Sequence, residues 1–187
     1  MQTPCKALQG QLKGYYIMHT PISLPGADVM RLWVNAGFKE YSGVLDFPFY
    51  ASKEAPHTFE GLQLWAANNE LGVDPLPVYS GGSEGSIYGT AQGNYEFRAW
   101  HDLIHLTENL SFAIASELQV AEWHCNVLKY IKAPYAVIAA IDADVRGQIL
   151  YYQGTNLYVG NQIRFVEDCL KYGVATVMHF VATGARY

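Results

Sequence analysis

Basic side chains are scarce: 12 Lys and Arg against 17 Asp and Glu leave a formal charge of −5. With the cations spread thinly there is no basic stripe to neutralise a phosphate backbone, so nucleic acid is not expected as a partner. Long apolar runs are also missing. The stretch 135–141 is among the longest, far below the roughly 20 residues a membrane span needs. Met1-Gln2-Thr3-Pro4 does not open a charged-then-apolar signal pattern, so the expectation is a cytoplasmic protein without a membrane partner. Cysteine is sparse: Cys5, Cys125 and Cys169 are odd in number and widely spaced, with no C-x-x-C pair, and read as reduced structural thiols. Two catalytic signatures are absent as well, the G-x-S-x-G nucleophile turn and the Gly-Lys-Ser/Thr end of a phosphate-binding loop.

What is present in quantity is tyrosine, 14 residues, beside eight Phe and four Trp. Rings with polar edges suit a ligand pocket and equally suit plain packing, and they hint at a homo-oligomeric interface. A chain of 187 residues buries about two-thirds of its unfolded surface, so one core forms without disulfide or metal, and a single domain over 1–187 is the default.

Residues 1–25 carry Pro4, Gly10, Gly14, Pro21 and Pro25, a density of breakers that predicts irregular chain with a short strand over 14–19. A first helix is expected over 27–35, closed by Gly37. Loop with a short extended piece follows over 41–56, then a second helix over 58–69, ending near Gly72. The glycine-rich interval 74–93 has the length of a functional or mobile loop, and Gly81, Gly82 and Gly85 suggest a lid. From residue 94 the pattern is helical: 95–108; 112–131 with Ser111 as N-cap; 134–153 with Pro134 in the first helical position; a helix from the Gly160–Asn161 turn to Gly173; and a last one over 174–182. The expected fold is therefore mainly α, a compact helical domain with an irregular first half, 1–93, holding two short helices, and a helical core over 94–187.

His101 and His105 stand four apart and so project from one helix face, where two imidazoles can share a metal ion. Arg98 lies four before Asp102, which can pair with it, ligate the ion or orient an imidazole. On the next helix Glu117 and His124 are seven apart and nearly aligned, with the small Ala121 between them and apolar neighbours that make an unpaired carboxylate costly. The metal set is thus His101, Asp102, His105, Glu117 and His124; the alternatives are surface histidines, or a Glu117 paired with Arg98. On the third helix Val137, Ile141, Asp144, Gln148 and Tyr151 share a stripe, and Asp142 faces the other way. Asp144 is the candidate base, unless it pairs with Arg146 or Arg164, and Gln148 would hold a ligand or a water. His57 is a cap neighbour, a surface residue or a distant ligand; His19 and His179 lack partners at ligand spacing and read as structural.

The segment 94–148 resembles a family of uncharacterised, mostly bacteriophage-encoded proteins, carrying Phe97-Arg98, His101-Asp102, His105, then Phe112, Glu117, Ala121, His124, then Asp144 and Arg146-Gly147-Gln148. His105 follows Asp102 by three residues where the family pattern has one more between them. The resemblance covers under a third of the chain and implies a viral origin, with host cytoplasm as the compartment, and no established activity. A looser resemblance is to HD-domain metal phosphohydrolases, in which His57, His101-Asp102 and Asp142 or Asp144 would take the ligand places.

Three readings follow. The first is a hydrolase using zinc, manganese or iron on a small-molecule substrate such as a nucleotide or another phosphoester: the ion lowers the pKa of a water, Asp144 takes its proton, and Arg98 stabilises developing charge. The second is a helical iron or di-iron oxidase or oxygenase, against which stands the absence of a Glu-x-x-His pair. The third is a non-catalytic viral binding or structural protein with a metal or polar core cluster, its site closed by four protein ligands.

Overall fold

The computed structural model describes residues 21–187 apart from Glu84. The strand expected over 14–19, together with Cys5 and His19, lies outside that range. Among the described residues the fold is mainly helical: α1 (Ala27–Ser42), α2 (Phe59–Asn68), α3 (Ala91–Thr107), α4 (Ile114–Tyr130), α5 (Tyr135–Thr155), α6 (Gln162–Tyr172) and α7 (Val174–Ala182). None of these helices is long and apolar enough to cross a membrane.

The first half is more regular than its breakers suggest. Gly37 does not close α1; it lies inside the helix, where an added Cβ would stand 2.5 Å from the Trp100 ring, so glycine is there for close approach and not for a turn. The helix ends instead at Gly43, left-handed at φ +68°, whose N–H donates to the Lys39 carbonyl. Two short parallel strands, β1 (Phe49–Ser52) and β2 (Leu76–Tyr79), pair from Phe49↔Leu76 to Ser52↔Tyr79, and α2 supplies the crossover that parallel strands require. Part of the glycine-rich interval is therefore strand, with Leu76 and Val78 buried.

Helix α3, which carries the histidines, begins a turn earlier than expected. Thr90 caps it, its hydroxyl accepting from the Gly93 N–H at 3.0 Å, and Gly93 is tolerated within the first turn because a Cβ there would meet the Tyr88 carbonyl at 2.7 Å. Thr90→Ala is expected to cost about 1 kcal/mol, read as a lower denaturant midpoint at unchanged slope. Ser111 is not the cap of α4. Ala113 holds that position, and the Ser111 hydroxyl accepts from the Ala113 N–H just upstream. Pro134 likewise stands at the N-cap of α5, outside the helix rather than first in it.

α5 is the central helix, packed against α4, α6 and α7, while α3 lies between α1, α4 and the strands. Its buried stripe, Val137, Ile141, Asp144 and Tyr151, is the one the spacing indicates. Glu96, five residues before His101 and buried on α3, accepts from both Nε and Nη2 of Arg31 at 3.2 and 3.0 Å, a two-pronged contact that locks α1 to α3.

Candidate metal centre

The four-residue spacing on α3 stacks His101 and His105 one turn apart, and the first turns of α4 bring Glu117 across to them. His101 Nε2 lies 3.0 Å from His105 Nε2 and 3.2 Å from Glu117 Oε2; His105 Nε2 lies 3.6 Å from Glu117 Oε1. These separations match the edge of a tetrahedron of ligands at about 2.0–2.1 Å from a zinc-like ion, roughly 3.3 Å. The three groups form a cluster able to hold a metal ion.

Hydrogen bonding shows what the cluster lacks. His105 is fully buried, and its Nδ1 meets the Leu110 carbonyl at 2.8 Å. A carbonyl only accepts, so Nδ1 carries the proton and Nε2 presents a lone pair to the centre. Glu117 is held ionised: burial works against the charge, but the hydrogen bonds and charges of His101 and His105 prevail and hold its pKa well below the usual carboxylate range. For His101, burial favours the neutral ring, yet the hydrogen bond and charge of Glu117 raise its pKa above the ordinary 6.5. When His105 is neutral, His101 Nε2 is the one of the three converging atoms that supplies a proton. A single cation in their midst satisfies all three at once.

His124 is brought to the cluster but not into it. It follows Glu117 by seven residues, about 10.5 Å along the helix axis, too far for the two to share an ion with the α3 pair. Its Nε2 instead meets His101 Nδ1 at 3.3 Å, and its ring lies between Phe97, stacked at 4.9 Å, and the edge of Trp100 at 4.3 Å. Burial keeps this imidazole neutral, and its Nδ1 has no hydrogen-bond partner among the described residues. It is thus a backing residue that sets the orientation of His101, in place of the ligand the sequence suggests.

Asp102 faces the same cleft but is not among the converging ligand atoms. Burial, opposed by His101 and His105, pushes its carboxyl up to about 6. Arg98 does not pair with it; Nη1 is donated to the carbonyls of Tyr79 and Gly81 and to Ser83 Oγ, so the guanidinium fastens the start of the glycine-rich segment to α3. Asp144 lines the same cleft, is buried, and pairs with neither Arg146 nor Arg164. It accepts from Tyr88 Oη at 2.7 Å, from Gln148 Nε2 at 2.7 Å and from Gln162 Nε2. Gln148 therefore spends its amide N–H on Asp144. Burial raises the Asp144 pKa against those hydrogen bonds. Asp142 faces away, in a 2.8 Å ion pair with Arg146. His57 is exposed and lines the cleft without reaching the three ligand atoms.

Tyr88 was invisible to motif reading: it stands in the glycine-rich interval, 56 residues from its partner Asp144. The open side of the cluster is a cleft of about 710 Å³, within the range of small-molecule sites. His101 and Glu117 keep 19 and 22 % side-chain exposure towards it, whereas His105 has none. No family model, curated protein or solved structure matches this chain.

Proposed function

We propose that the chain is a metal-dependent hydrolase whose ion is held by His101, His105 and Glu117. The observation that carries this reading is the three-ligand cluster closed by protein on one side and open to a cleft on the other. A structural zinc site is closed by four protein ligands, whereas a catalytic one uses three and leaves a position for water or substrate. An ion there supplies Lewis acidity and a water of lowered pKa. Asp102 is a better candidate than Asp144 to accept the proton: it lines the cleft next to His101 and its carboxyl has no hydrogen bond among the described residues, while Asp144 already receives three donors. Asp144, Gln148 and Gln162 line the same cleft, and Tyr88 holds Asp144 from behind.

The donor set itself favours one alternative, since two histidines and a carboxylate with open positions are also the ligands of non-haem ferrous oxygenases. Zinc-loaded and anaerobically iron-loaded chain should therefore be assayed side by side, for hydrolysis of p-nitrophenyl acetate and benzamide and for oxygen uptake. The expected result is hydrolysis with zinc or manganese, lowered about 10²–10⁴-fold in Asp102→Asn at unchanged ion content. Oxygen uptake by the iron form, without hydrolysis by any form, would select the oxygenase reading.

A further inference from the structure

The substrate class of this cleft can be read from its wall. On α3, Asn94 precedes His101 by seven residues, two helical turns, and so stands on the same stripe. It is 5 % exposed, lines the cleft, and its side-chain amide makes no hydrogen bond among the described residues. The buried side-chain atoms left without a partner among the described residues are Trp100 Nε1 and His124 Nδ1, so the Asn94 amide is not sealed off; it opens on the cleft and is free to bond what enters it. Nearby, Gln148 and Gln162 each give one N–H to Asp144, which leaves each an amide oxygen and a second N–H to offer at the cleft wall. The rim carries a ring pair, Tyr152 and Tyr158, with centroids 5.0 Å apart at 32°; Tyr158 is 83 % exposed.

Charge points the same way. Arg98 is the one Lys or Arg side chain among the described residues lining the cleft, and its Nη1 is committed to the carbonyls of Tyr79 and Gly81 and to Ser83. Three carboxylates, Glu117, Asp102 and Asp144, line the same space. A divalent ion and Arg98 balance these three negative charges, so the loaded cleft offers no surplus positive charge to a phosphate dianion.

We infer that the cleft takes an uncharged, planar, N–H-bearing substrate, a carboxamide or an amino-substituted ring, with Asn94 as the residue that reads its amide edge and the tyrosine pair stacking on its ring. The inference rests on the hydrolase reading for the place of the reacting bond, and replaces the phosphoester expected from the sequence. Asn94 hydrogen-bonds the substrate and does not contact the ion.

The test uses three matched pairs that differ by a phosphate: 4-hydroxybenzamide and 4-carbamoylphenyl phosphate, adenosine and its 5′-monophosphate, cytidine and its 5′-monophosphate. Dissociation constants are measured by ligand-observed NMR on the zinc-loaded chain. The uncharged member is expected to bind at least about tenfold tighter in two or more pairs, and Asn94→Ala to weaken that binding about tenfold. Zinc stoichiometry and Tm should not fall in this variant, because the amide it removes has no partner to lose. A purely structural Asn94 would do the reverse, lowering Tm and leaving binding unchanged. Preference for the phosphate member or equal binding in two pairs, binding of no probe, or unchanged affinity in Asn94→Ala overturns the inference. The same pairs measured on chain that takes up no zinc separate the two failures: lack of zinc uptake refutes the hydrolase, and the binding preference stands or falls by itself.

Discussion

His105→Ala is expected to lower ion affinity at least about a hundredfold and to remove the stabilisation the ion confers. At a free ion concentration a thousand times Kd, binding to the native state is worth about 4 kcal/mol, and for a chain of this size that is roughly 8–16 °C in Tm. Thermal unfolding with zinc and with a chelator should show that difference in the native chain and less than about 2 °C in the variant. The metal-free variant should also be weaker than the metal-free native chain, by about 2–4 kcal/mol. His105 is fully buried with its ring edge on Phe112, 4.7 Å between centroids, and its loss leaves a cavity and an unpaired Leu110 carbonyl. His101→Ala separates the two effects: it removes a ligand of equal standing but a side chain that is 19 % exposed, so the intrinsic loss should be smaller. Equal chelator shifts in native chain and His105→Ala would show that any ion bound lies elsewhere.

The second large effect is remote from the ligands. In Gly37→Ala the new methyl would lie 2.5, 2.9 and 3.0 Å from three atoms of the Trp100 six-membered ring. Trp100 is fully buried and its ring cannot retreat freely, since His124 meets it at 4.3 Å and Phe97 at 6.5 Å. Alanine gains up to about 1 kcal/mol of helix propensity, but overpacking a ring held on both sides outweighs it, for a net loss of about 2 kcal/mol and a fall in Tm of about 4–8 °C. Because Trp100 backs His124 and His124 backs His101, ion affinity should drop about tenfold although no ligand has changed. A Gly37→Ala chain with native Tm and native ion affinity would mean that this packing relay does not set the geometry of the centre.

The pairing of His101 with His105 was legible because the α-helix fixes i and i+4 on one face whatever surrounds them. Glu117 was legible for a related reason, as a carboxylate on an apolar helix next to the small Ala121. The position of His124 was not, since two aligned residues on α4 are equally attractive as ligands until the crossing of α3 and α4 decides which one reaches the ion. Arg98 illustrates a second limit. Its local spacing to Asp102 predicted an ion pair, but carbonyls at Tyr79 and Gly81, 19 and 17 residues earlier, take the guanidinium instead. Helices in the second half were placed to within a few residues by apolar period and glycine stops, while the expected roles of Ser111 as N-cap and Pro134 as first helical residue did not hold. Gly37 and Gly93 misled the reading of the first half, because glycine that serves close packing looks the same in sequence as glycine that ends a helix.

Cobalt(II) titration of the metal-free native chain, followed by its visible absorption and checked by elemental analysis, tests the metal centre most directly. One ion per chain is predicted, with the intense bands of a four-coordinate site holding two imidazoles and one carboxylate, lost in His101→Ala, His105→Ala and Glu117→Ala and kept in His57→Ala and Asp142→Ala. No stoichiometric uptake, or uptake that survives His105→Ala and disappears with His57→Ala, would contradict it.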